Sequence, residues 1–319
     1  WTWGDNSNEQ LGTSVNSSSN LPNPINVNAN WIIISGAASH NLAINDDGTL
    51  WGWGGNFDGQ LGDGTSNSRA TPVQIGSASD WVLVSTGDFH SIGIKSNGTL
   101  WAWGGNQYGQ LGDGTNNSSN TPIQIGTSTD WASVSCGFAH TIALKNNGTL
   151  WAWGLNENVQ LGDGTSINRN VPVQIGTSND WVYISSGWFH NLAIKSDGTL
   201  WAWGWNILGQ LGNGTEDNSN VPIQIGSNTD WASVYCGGHH TLALDNYNNL
   251  WGWGCNWDGQ LGNGTTDGSN VPIQIGNLNT YVSLSLGGYF STGLKSDGTL
   301  WGWGKDRKST RLNSSHRIR

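Results

Sequence analysis

Methionine is absent from the 319 residues, cysteine occurs three times, proline seven times, and charged side chains make up only 11%. With hydrophobic residues at 35%, the core has to be assembled from few, large side chains. Cys136, Cys236 and Cys255 are odd in number, and none forms a Cys-x-x-Cys pair or stands beside a His at metal-ligand spacing. Neither a disulfide framework nor a zinc site is therefore expected. No apolar run approaches the ~18 residues of a membrane span, so membrane insertion is not expected. The chain opens on Trp1 with no signal segment before it, and it reads as a fragment of a larger protein.

Positive charge is the scarcest commodity. Six of the twelve basic residues, Lys305, Arg307, Lys308, Arg311, Arg317 and Arg319, are crowded into the last fifteen positions, leaving six bases against 21 acids before them. An acidic body of this kind repels phosphate backbones, which argues against nucleic acid as a partner.

What is abundant is Gly, at 48 residues, and Trp, at 22. Trp-x-Trp-Gly begins at Trp1, Trp51, Trp101, Trp151, Trp201, Trp251 and Trp301, a period of 50 residues without insertion. Six complete units (1–50, 51–100, 101–150, 151–200, 201–250 and 251–300) and the start of a seventh follow. In residues 51–100 four short strands are expected: Pro72 to Gly76, Trp81 to Ser85, His90 to Lys95 and Thr99 to Trp103. Asn97-Gly98 joins the last two as a type I′ hairpin turn, and in the fifth unit Asn248-Asn249 takes its place. Period-two geometry puts Trp51 and Trp53 on one face of a strand and Gly52 on the other, where a small residue permits close approach. Burying one Trp removes roughly 150–250 Å² from water, an upper estimate of about 4–6 kcal/mol, so two per unit dominate the core. One sheet with apolar residues on both faces cannot bury them alone, whereas stacked identical sheets can. The fold class expected is an all-β propeller of four-stranded antiparallel blades over residues 1–304. Residues 305–319 depart from the unit and read as a non-native or disordered tail.

Gly59-Gln60-Leu61-Gly62-Asp63-Gly64, followed by Val84-Ser85-x-Gly87-x-x-His90 and by Gly98-Thr99-Leu100-Trp101-Ala102-Trp103-Gly104, resembles the repeat of the regulator of chromosome condensation family. The resemblance covers residues 1–304 and implies a propeller. It also implies a choice of functions, since members include a nucleotide exchange factor for a small nuclear GTPase, a plant ultraviolet-B receptor, a β-lactamase inhibitor and bacterial surface proteins. The units show no insertion that could act on a GTPase. Phe189 follows Trp188 where the photoreceptor repeat carries Arg. The wording of the units is most similar to the bacterial members, which implies an extracellular or cell-surface location.

Residues with chemical potential are better explained by the fold. His40, His90, His140, His190 and His240 occupy one position of the unit, and five equivalent His read as structural rather than catalytic. Asp63-Gly64-Thr65 and its counterparts lack the spacing of a calcium loop, so no metal is expected. Gln10, Gln60, Gln110, Gln160, Gln210 and Gln260 read as buried amides tying loop backbone, and Asp80, Asp130, Asp180 and Asp230 as fixing the turn into the next strand. No enzyme and no cofactor are indicated.

Positions where the units disagree are free to be recruited for binding. Two loops qualify and are rich in aromatics: one holds Phe89, Phe138, Trp188, Phe189, His239 and Tyr289, the other Trp205, Ile207, Leu208 and Trp257. Together they form the expected site, centred on Trp188, Phe189, Trp205, Ile207 and Leu208. A protein partner is the first expectation; a glycan stacked on these rings is the alternative.

Overall fold

The computed structural model describes all residues except 16, 26–28, 277–279, 306–315 and 319, and only the backbone of 316–318. It contains β-strands and turns alone among the described residues. Two compact units divide the chain.

The first unit comprises residues 1–147, 151–155 and 168–174. It opens with β1 (Thr2–Gly4) paired to β2 (Ser19–Asn23), and continues with β3 (Trp31–Gly36), β4 (His40–Asn45), β5 (Leu50–Gly54) and β6 (Arg69–Gln74) as one antiparallel sheet. Two further sheets repeat that order. They are β7 (Trp81–Thr86), β8 (His90–Lys95), β9 (Leu100–Gly104), β10 (Ser119–Gln124), and β11 (Trp131–Cys136), β12 (His140–Lys145), β13 (Leu150–Gly154), β14 (Arg169–Gln174). In the second unit stand β15 (Trp181–Ser186), β16 (His190–Lys195), β17 (Leu200–Gly204), β18 (Ser219–Gln224), then β19 (Trp231–Cys236), β20 (His240–Asp245), β21 (Leu250–Gly254), β22 (Ser269–Gln274). Its last sheet is β23 (Tyr281–Leu286), β24 (Phe290–Lys295), β25 (Leu300–Gly304) and β26 (His316–Ile318). The fold is an all-β propeller of six four-stranded antiparallel blades, with β1 and β2 as part of a seventh.

Two expectations need correction. The Pro-containing strand starts three residues earlier than expected, at Arg69, and belongs with the Trp-x-Trp-Gly strand before it: Trp51 faces Gln74 and Gly52 faces Val73. Pro72 sits inside this edge strand, next to a register shift, where its missing N–H costs no ladder bond. The hairpin is not type I′. Gly98 N–H donates to Lys95 O at 2.8 Å and Lys95 N–H to Thr99 O at 3.1 Å, with positive φ at Gly98 (76°) and not at Asn97. This is a type I turn closed by a left-handed residue. Asn248, at φ 60°, fills that left-handed position in the fifth copy. The tail expectation falls mainly outside the described residues; among the described ones, His316–Ile318 pairs with Leu300–Gly302, and Lys305 N–H donates to Tyr289 O at 2.9 Å as its counterparts in earlier copies do.

Packing follows the alternation read from the sequence. Trp53, Trp103, Trp153, Trp203 and Trp253 are fully buried, and Trp51, Trp101, Trp151, Trp201 and Trp251 are half-buried on the same face. One indole covers both members of a pair: Trp81 lies 6.1 Å from Trp101 and 5.8 Å from Trp103, edge to face. Opposite them, a β-carbon on Gly52 would meet Leu42 at 3.1 Å and Leu61 at 3.4 Å, so the position takes a small residue.

Candidate interaction site

Each sheet has two ends, and at the His-bearing end the copies with His40, His90, His190 and His240 share one buried polar chain, whereas the sixth copy has Phe290 in place of His. His90 Nε2 lies 2.9 Å from Thr141 Oγ1, which donates to Gln110 O at 3.2 Å. His40 reaches Ser91 (2.9 Å) and Ser91 donates to Gln60 O (2.8 Å); His240, Ser291 and Gln260 do the same. Because each hydroxyl spends its proton on a carbonyl, the imidazole must donate from Nε2. A His that holds its proton at the contact with Ser cannot act as that Ser's base, so the chain ties neighbouring sheets together and does not activate a nucleophile. Burial pushes His40, His90 and His240 down to about 3, which keeps them neutral.

The loop after β5 is organised by Asn56, a residue whose role the sequence did not disclose. Its buried Nδ2 donates to Asp63 Oδ1, Thr65 O and Asn67 O, all at 3.1 Å, while its Oδ1 accepts from Leu61 N at 2.9 Å. Asp63 is consumed in turn by Thr65 and by Arg69, which leaves it a turn residue rather than a metal ligand. Gln60 accepts from Asp58 N at 2.9 Å and is buried, as the amide reading requires.

On this frame the expected binding residues separate into three groups. In the first unit Phe89 and Phe138 meet edge to face at 5.1 Å. Beside them burial pushes the Asp88 carboxyl up to about 6. In the second unit five rings come together at the ends of β15, β17, β19 and β23. Trp188 lies 4.8 Å from His239 and 5.4 Å from Tyr289, and Trp205 lies 5.0 Å from His239 and 6.2 Å from Phe189. The His190–Gly204 pair places the loop carrying Trp188 and Phe189 at the same strand end as Trp205. All five are half-buried. Ile207 and Trp257 stand outside the ring contacts, 52% and 69% exposed, and Leu208 is half-buried with its N–H on Gln210 Oε1.

The disagreement between copies at this place is itself structured. A β-carbon on Gly288 would stand 2.7 Å from Trp188 Cζ2, and one on Gly238 3.0 Å from Trp188 Cδ2. Two glycines therefore make the floor for one indole. Lys305 was not anticipated; its Nζ lies 4.7 Å from the Tyr289 ring and 3.7 Å from Asp258.

A family model described as RCC1-like domain matches residues 1–316. No curated protein matches the chain. Among solved structures, yeast RCC1 (Prp20) bound to Kap60 is similar with a TM-score of 0.88 and 24% identity, covering 99% of this chain and 82% of that one. Prp20p from Saccharomyces cerevisiae, described with its binding to Gsp1p and histones, gives the same score and identity over 99% and 85%. Human WBSCR16 gives 0.77 and 23% over 89% and 77%.

Proposed function

Because this chain belongs to the RCC1-like domain family, we propose that it is a non-enzymatic scaffold for protein–protein interaction, with the aromatic cluster of the second unit as its contact surface. The observation that carries this reading is the convergence of Trp188, Phe189, Trp205, His239 and Tyr289 on one set of strand ends, beside the exposed Ile207 and Trp257. Large rings on loops supply contact area at low entropic cost and are typical anchors of protein interfaces. The frame beneath them recurs between copies, whereas these side chains do not. Phe89 and Phe138 form a smaller patch of the same kind. The structures of Prp20 name protein partners, Kap60, Gsp1p and histones, which supports the class of ligand.

The test is capture of a protein partner by the intact chain and by the triple variant Trp188→Ala, Phe189→Ala, Trp205→Ala. Loss of capture with a melting temperature within a few degrees of the parent is the expected result. Undiminished capture moves the surface elsewhere. Exchange-factor activity is the reading that likeness to Prp20 offers instead, and accelerated nucleotide release from a GTPase would replace the scaffold; saturable sugar binding would replace it by a lectin.

A further inference from the structure

At the strand ends opposite the aromatic cluster, three copies hold an internal cation in the same way. Lys95 Nζ lies 5.0 Å from the Trp81 ring, 4.7 Å from the Trp101 ring and 2.9 Å from Asp80 Oδ1. Lys145 does so with Trp131, Trp151 and Asp130, and Lys195 with Trp181, Trp201 and Asp180. An ammonium between two indole faces and a carboxylate is a complete cation site. Beside Lys95 it borders a cleft of about 360 Å³ that also touches Ile75, Gly76 and Thr121.

The fifth copy keeps the walls and drops the cation. Trp231 and Trp251 stand 5.7 Å apart at 71°, against 6.0 Å and 75° for Trp131 and Trp151. The acid is retained as Asp230, whose carbonyl accepts from Asn246 N at 2.7 Å, as that of Asp130 accepts from Asn146 N. In place of the Lys stands Asp245. Its carboxylate is drawn back into its own turn, accepting from Tyr247 N (2.9 Å), Asn249 N (2.9 Å), Asn249 Nδ2 (2.7 Å) and Trp251 Nε1 (3.1 Å). Among the described residues no basic side chain pairs with Asp230. The first copy has Asn30 and Asn45 and the sixth has Thr280 with Lys295, so the combination of aromatic pair, acid and missing cation occurs once.

We infer that Trp231, Trp251 and Asp230 form a binding site for an alkylammonium group supplied from outside the chain. The three sibling sites define its chemistry: a primary or methylated ammonium on an alkyl stem, entering where a Lys side chain of this chain stands in the other copies. This site lies at the other end of the strands from the contact surface proposed above and does not depend on it.

The experiment is a titration of the full chain with n-butylammonium chloride, followed through the indole N–H resonances of Trp231 and Trp251, with sodium chloride at equal ionic strength as control. Saturable shifts of these two resonances with the ammonium and not with sodium are expected. Replacing the turn by its fourth-copy sequence (Asp245→Lys, Asn246→Ser, Tyr247→Asp, Asn248→Gly, Asn249→Thr) restores the internal cation and should abolish binding. Asp230→Asn, which keeps the backbone carbonyl and both rings, should weaken it about 1.5- to fivefold, and it serves as the readout should the turn replacement fail to fold. N-acetyl-lysine amide binding more tightly than n-butylammonium assigns the site to a partner's Lys side chain; the reverse order assigns it to a free amine. No saturable shift with either ammonium, or binding unaffected by both variants, overturns the inference.

Discussion

Gly104 and His90 face each other across β9 and β8 so closely that a β-carbon on Gly104 would stand 2.8 Å from His90 Cα. It would also stand 2.6 Å from Phe89 O. At φ 101° the backbone of Gly104 turns the chain out of its strand, and the same conformation recurs at Gly4, Gly54, Gly154, Gly204, Gly254 and Gly304. This is the step that sends the loop from the core strand towards the next sheet.

Gly104→Ala is accordingly expected to cost about 2–5 kcal/mol, backbone strain and overlap together. Gly76→Ala, at φ 64° with nothing within 4 Å of its β-carbon, is expected to cost about 1–2 kcal/mol. Urea denaturation of both variants checks this, and costs within a few tenths of each other would refute the role given to the Gly104–His90 contact.

Acid should destabilise the protein through its buried histidines. His40, His90 and His240 are held at about 3 when folded, against 6.5 when free. Below pH 6.5 the unfolded chain takes up protons that the folded chain refuses, so stability is full above 6.5 and falls as pH drops towards 3. Asp88, raised to about 6 from 3.8, acts in the opposite direction between those values, one group against three. The urea midpoint should fall steadily from pH 7 to pH 4, and His90→Gln should flatten the slope; a midpoint independent of pH over this range contradicts neutral burial.

Asn106→Asp should be worse than its size suggests. Asn106 Nδ2 donates to Asp113 Oδ1 (3.1 Å), Thr115 O (3.2 Å) and Asn117 O (3.0 Å), three acceptors that a buried carboxylate would repel. A loss of about 3–5 kcal/mol is expected for Asp, against about 2–4 kcal/mol for Ala. Thermal melts at pH 7 decide, and an Asp variant as stable as the parent would show that the amide is not the organiser of this loop.

Much of the fold is legible in the sequence because the side chains that drive it are large and strictly placed. Trp51 and Trp53 at a spacing of two, and a small residue between them, permit only one arrangement of faces. The His positions are legible for a different reason, since five repetitions of one titratable residue exclude a single reaction centre. Which strand pairs with which was not legible: Pro72-Val73-Gln74 is equally compatible with the strand before it and the strand after it, and only the path of the 55–68 loop decides. Asn56 escaped notice because an amide bonded to four backbone and side-chain groups has no signature beyond recurrence. Of the proposed contact surface, the aromatic content could be read directly, but not that Trp188 rests on Gly238 and Gly288, a relation between residues 50 and 100 positions away.

The offset between the fifty-residue unit and the sheet bears on how such a gene can lengthen or shorten. A crossover between equivalent points, joining Leu100 to Trp151 for example, falls inside a strand that is otherwise identical in the two copies. The first two strands of the resulting sheet come from one copy and the last two from the next, in matched register. Unequal recombination therefore adds or removes whole blades without the breakpoint ever having to find a structural boundary.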